Sequence, residues 1–155
     1  MDAIPYKTIR DDLITLFRDN KSTLNTGLTE GKTFTANTNI KAGNPLITNV
    51  FDYPSILVRM QSRNENFHTV GARQKLATVV LNVFPMTQIL TDGQADEDET
   101  MILTANVEKL IRDNTQFSAG VHGADPASVD FFPMVEGSTY VSVAMIDVQV
   151  KYLVK

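Results

Sequence analysis

Apolar residues recur at helical spacing near the start of the chain. Ile9, Leu13, Leu16 and Phe17, with Ile14 beside them, share one stripe between Ile4 and Asn20. Asp11, Asp12, Arg18 and Asp19 take the opposite face. Pro5 suits a first helical turn, where its missing N–H costs nothing. The spacing predicts a surface helix with one buried side. The period then vanishes. From Lys21 to Asp52 the chain is rich in Thr, Asn and Gly, with turn signals at Glu30-Gly31 and Gly43-Asn44-Pro45. A stretch of roughly thirty residues is long for a passive connection in one domain. Phe34, Ile40, Leu46, Ile47 and Phe51 are also more large apolar side chains than a disordered linker carries. The segment reads as an extended arm that orders against a partner.

Alternation of period two follows. Ile56, Val58 and Met60 face one way in Ser55–Arg63, and Leu57, Arg59 and Gln61 face the other. In Leu76–Phe84, Ala77, Val79, Leu81 and Val83 oppose Thr78, Val80 and Asn82. The two runs predict a hairpin with an extended polar loop, closed at Pro85 because proline cannot donate to a ladder. A second helix is expected from Asp96 to Thr115, with Leu103, Val107, Leu110 and Ile111 as its buried stripe. Asp96 and Glu99 have the spacing of a capping box, and Glu108 and Arg112 form an i,i+4 pair. Gly120–Asp125 reads as a loop, then Val129–Val135 as a short strand interrupted by Pro133.

The last and longest strand is expected from Thr139 to Leu153. Tyr140, Ala144, Ile146, Val148, Val150 and Tyr152 share one face of it. Val141, Val143 and Met145 begin the other face, which turns polar at Asp147, Gln149 and Lys151. The order is helix, arm, strand, strand, helix, strand, strand. It predicts one α+β domain over 1–155, with an arm or hairpin at 21–52. Its mostly antiparallel sheet has about four strands, with two helices packed on one face. Leu13, Leu16, Phe17, Val58, Val79, Leu81, Leu103, Val107, Leu110, Ile146 and Val148 are its expected core. Helices on one side leave the other sheet face, with Leu57, Val80, Val141, Val143 and Met145, open to a partner.

Composition narrows the chemistry. The 155 residues are 43% hydrophobic and 21% charged, which excludes an intrinsically disordered chain. The net charge of −4 argues against a general nucleic-acid binder. Zero cysteines exclude a disulfide scaffold, a thiolate zinc site and a cysteine nucleophile. The first residues lack a signal peptide's basic start and apolar run, and no stretch approaches the roughly 18 apolar residues of a membrane helix. A soluble protein made in the cytoplasm is expected.

No residue is assigned a catalytic, cofactor-binding or metal-binding role. Asp92, Asp96, Glu97, Asp98 and Glu99 lack the alternating order and turn glycine of a calcium loop, and read as a solvated loop and helix start. His122, near Asp125, lacks a marked nucleophile, and His68 stands no better. Neither a phosphate-binding loop nor a dinucleotide fingerprint occurs. Arg59, Arg63, Arg73 and Lys75 gather on the first hairpin, where they read as charges guarding an edge.

Tyr53-Pro54-Ser55-Ile56-Leu57-Val58 enters the first strand, Ala105-Asn106-Val107-Glu108-Lys109-Leu110-Ile111 lies in the second helix, and Tyr140–Lys155 is the terminal strand. With these motifs the layout resembles the tail-terminator and tail-completion proteins of long-tailed bacteriophages. It implies a structural virion protein, without enzymatic activity or cofactor, in a homo-oligomeric, hexameric ring at the head-proximal end of a tail. Such a ring ends tail-tube polymerisation and joins the tail to the head connector. Its partners would be itself, the tail-tube protein and the connector or neck protein, with DNA passing through unbound and no membrane involved. An acidic ring would repel the passing phosphates. Phe34, Ile40, Leu46, Ile47, Phe51, Val141, Val143 and Met145 are the candidate interface. A neck stopper or adaptor at the same joint has the same layout. A small acidic ligand-binding or hydrolytic domain, using the acidic loop or His122, is the reading from another class.

Overall fold

The computed structural model describes residues 3–48, 50, 52–67, 75–88, 93–136 and 139–154. Helix α1 (Tyr6–Asp19) buries Ile9, Leu13, Ile14 and Phe17, while Leu16 is only partly covered. One further turn, α2 (Lys21–Leu24), buries Leu24. Strand β1 (Ile40–Ala42) is three residues long and pairs in parallel with β2 (Ser55–Phe67). Strand β3 (Lys75–Thr87), helix α3 (Gly93–Asp113), β4 (Val121–Glu136) and β5 (Thr139–Val154) complete the domain. The sheet is mixed and five-stranded, in the order β1-β2-β3-β5-β4, and every pairing except β1–β2 is antiparallel.

The main core lies between the helices and one sheet face. Ile9, Leu13 and Phe17 of α1 and Leu103, Val107, Leu110 and Ile111 of α3 meet Val58, Val79, Leu81, Ile146 and Val148 there. The predicted stripes and the even face of β5 therefore supply this core. Tyr140 is the exception on that face, at 68% exposed.

The sheet has five strands where about four are expected, because β1 in the arm joins its edge, and strand β3, strand β4 and the arm also differ from the expectation. Strand β3 does not stop at Pro85 but continues to Thr87. The ladder to β5 skips Phe84 and Pro85, between the Val83–Ile146 and Met86–Val143 pairs, so proline's missing donor falls in a gap. Second, Gly120–Asp125 is not a free loop, and the strand expected at Val129–Val135 is longer and not interrupted at Pro133. β4 spans sixteen residues, taking in Pro126 and Pro133. It is the outermost strand, where prolines and the irregularities at Val121/Gly123 and Pro126/Ser128 are tolerated. Gly120 leads into it with φ at +81°, and a side chain there would meet the Tyr152 ring at 2.5 Å.

The third difference is the arm. Its first half belongs to the chain's own fold, because Phe34 and Ile40 are 3% and 0% exposed in the main core. Side chains from the helices fasten its backbone. Asn25 acts as a short strand edge, its amide donating to the Phe34 carbonyl at 3.0 Å and accepting from the Phe34 N–H at 2.7 Å. Arg18 donates to the Ile40 carbonyl at 2.8 Å, and Asn106 of α3 donates to the carbonyls of Leu24 and Thr26. Glu99 accepts from the Thr29 N–H at 3.0 Å and from its hydroxyl. The second half, residues 43–54, is the crossover that parallel pairing of β1 and β2 demands.

That crossover also covers the second sheet face. Val50 and Tyr53 pack with Leu57, Phe84, Met86, Val141 and Val143 in a smaller apolar cluster, and Phe132, Met134 and Met145 border it. Val141 and Val143 are 1% and 0% exposed, so the open apolar face expected there is filled by the chain itself. Phe51 lies outside the described residues.

Candidate partner interface

Of the expected interface residues, Leu46 and Ile47 remain at the surface, at 81% and 84% exposed. Their turn is well built. Asn44 accepts the Leu46 N–H on its side-chain oxygen at 3.0 Å, and its N–H donates to the Thr48 hydroxyl at 2.9 Å. The Ile47 and Thr48 N–H groups both donate to the Asn44 carbonyl. A side chain at Gly43 would meet the Thr48 hydroxyl at 2.5 Å, so this turn needs glycine there. Pro45, within the turn, is buried. Two large aliphatic side chains are thus held out into water by a hydrogen-bonded turn.

They adjoin the β4–β5 hairpin. Leu46 and Ile47 line a groove with Tyr53, Met86, Met134 and Val135. Val135 is 63% exposed and pairs across the hairpin with Tyr140. Tyr140, Phe131 and Pro133 line a second groove against Asp96 and Glu97 at the start of α3. The exposure has a topological cause. The β3–β5 ladder ends at the Thr87–Ser142 pair, so Tyr140 and its partner Val135 overhang the sheet.

Leu46, Ile47, Phe131 (46% exposed), Val135 and Tyr140 are therefore exposed apolar side chains in two adjoining groups, Leu46, Ile47 and Val135 at the first groove and Phe131 and Tyr140 at the second, beside α3. Exposed large apolar side chains grouped at one end of a domain mark a surface for a protein partner. Sequence patterning missed Phe131, Val135 and Tyr140. The available signal was length, since a long final strand must outrun its shorter neighbour.

On the outer face of the sheet, beyond the smaller apolar cluster, the surface turns polar. Asn82, fully buried, accepts from Arg59 at 2.8 Å, and its amide donates to Gln61 at 2.7 Å and to Asp147. Ser128 donates to Asp147 from β4, and Lys151 donates to Thr78. This row ties four strands together through side chains. It accounts for Arg59 as a partner of Asn82 rather than as a free surface charge.

The acidic stretch is not uniformly solvated. Helix α3 begins before Asp96, so Asp96 lies inside its first turn rather than capping it. Asp96 and Glu99 are buried, and Glu99 serves the arm. Glu97 and Asp98 are exposed. Among the described residues no three His, Asp or Glu side chains are grouped to hold a metal ion. His122 is an exposed residue of β4, beside Leu76, Lys151 and Leu153. Asp92, His68 and Arg73 lie outside the described residues. Among the described residues no helix is long and apolar enough to cross a membrane. No family model matches the sequence, and no curated protein matches it.

Proposed function

We propose that this chain is a structural subunit that assembles with copies of itself into a ring. Following its resemblance to tail-terminator and tail-completion proteins, the ring closes the head-proximal end of a phage tail and meets the head connector. The observation that carries the reading is the group of exposed apolar side chains at the β4–β5 hairpin end, Leu46, Ile47, Phe131, Val135 and Tyr140. A hydrogen-bonded turn presents Leu46 and Ile47, and the overhanging end of the hairpin presents Val135 and Tyr140. Such preorganised apolar area lowers the ordering cost of docking to a protein surface.

Light scattering on the purified chain tests this. The expected mass is a multiple of 17.2 kDa, set by the number of copies in the ring. A single-chain mass at all concentrations, accompanied by metal-dependent turnover of a small substrate, would instead support the hydrolytic reading.

A further inference from the structure

We infer that the groove between the start of α3 and the end of the β4–β5 hairpin takes an arginine side chain presented by a protein other than a copy of this chain. The inference goes beyond the ring reading and does not rest on it.

The groove has two unlike walls. Phe131 and Tyr140, 46% and 68% exposed, stand on the strand side, and Asp96 and Glu97 stand on the helix side. Phe131 pairs with Ala144, and Ala144 and Tyr140 share the even face of β5, so both rings lie on the side of the sheet that carries α3. The helix start is held against the strand ends. Thr87 donates to the Asp96 carbonyl at 2.9 Å, and the Thr100 hydroxyl lies 3.2 Å from the Ser142 carbonyl of β5. Asp96 is buried and already has a partner. Glu97 is exposed and has no partner among the described residues.

An exposed ring beside an unpaired carboxylate matches a guanidinium. The flat cation stacks on the ring while its N–H groups reach the carboxylate. An apolar side chain in the same place would cover Glu97 without pairing it, at a desolvation cost. The neighbouring groove at Leu46, Ile47 and Val135 has no charged residue among its described lining, so the preference belongs to the α3 side. The cleft between α1 and the end of α3 is also acidic, through Asp12, Asp19 and Asp113. There Asp12 accepts from Ser118 at 2.6 Å, Asp113 is paired with Lys109, and the ring that lines it, Phe117, is half-buried. A second copy is a poor source of the cation. Each described arginine, Arg10, Arg18, Arg59, Arg63 and Arg112, already has a partner within its own chain.

Two-dimensional NMR titration of the whole chain tests the inference. The probe is the capped tripeptide Gly-Arg-Gly, and the control is its citrulline analogue, which keeps the shape and lacks the charge. The arginine probe should shift the signals of Glu97, Phe131 and Tyr140. The citrulline probe loses both the stacked cation and the ion pair, and should bind about 10-fold more weakly. Tyr140→Leu and Glu97→Gln, both at exposed positions, should each weaken the arginine probe about 2–5-fold, with thermal melting confirming that each is folded. The inference is overturned by no shift at the groove, by equal binding of the two probes, by shifts gathered at Asp12, Asp19 and Asp113, or by unchanged affinity in either variant. Groove shifts that appear with protein concentration alone and vanish in Arg73→Ala would also overturn it, because they give the groove to a second copy. The ring reading is tested separately, by particle mass.

Discussion

Phe34→Ala should destabilise the isolated, unassembled chain by about 3–5 kcal/mol, the range for truncating a buried aromatic side chain. Phe34 sits in the main core at 3% exposure, and Asn25 holds both its N–H and its carbonyl. Truncation leaves a cavity that the fastened backbone cannot close. Urea unfolding of a dilute sample measures this. A loss under about 0.5 kcal/mol, the range of surface substitutions, would mean that residues 28–42 order only on assembly.

The second large effect is on association. Leu46→Ser with Ile47→Ser removes two exposed aliphatic side chains from a turn whose hydrogen bonds run through Asn44 and Thr48. Stability of the single chain should change by less than about 0.5 kcal/mol, because neither side chain is buried there. Burying a side chain of this kind contributes about 1.5–3 kcal/mol, so the pair should weaken association at least about 100-fold. Concentration-dependent light scattering reads the shift toward single chains. An unchanged association constant would place the interface away from this turn.

Both helices were legible because their stripes have to meet a core at a fixed period. The alternating residues of β2, β3 and β5 were legible for the same reason, with Ile56, Val79 and Ile146 falling on the helix-facing side. The arm's fold was not. Its anchors are hydrogen bonds from side chains to distant backbone, such as Glu99 to Thr29 and Asn106 to Leu24, and no local period records them. Glu99 looked like helix-start chemistry because its position in α3 fits that role equally well. β4 was hidden by Pro126 and Pro133, which punctuate a chain locally but are acceptable on an outer strand.

The interface was half legible. Leu46 and Ile47 stood out as large apolar residues among turn formers, and they stay exposed. Phe34, Ile40, Val141 and Val143 looked the same on composition but are buried by the chain itself. Met145 borders the smaller cluster. Phe34 and Ile40 belong to the main core, and for Val141 and Val143 the separation requires knowing that Val50 and Tyr53 pack on the outer face of the sheet. No local period records that, and the parallel pairing that calls for the crossover rests on a strand three residues long.

The most direct measurement is tail-tube growth. On the proposed role, a tail-tube protein encoded in the same genome would be polymerised with and without this chain, and tube lengths and ends imaged by electron microscopy. Tubes are expected to stop growing once this chain is present, with it bound at one end of each. Tubes of unchanged length, with the chain absent from their ends, would contradict the proposed role.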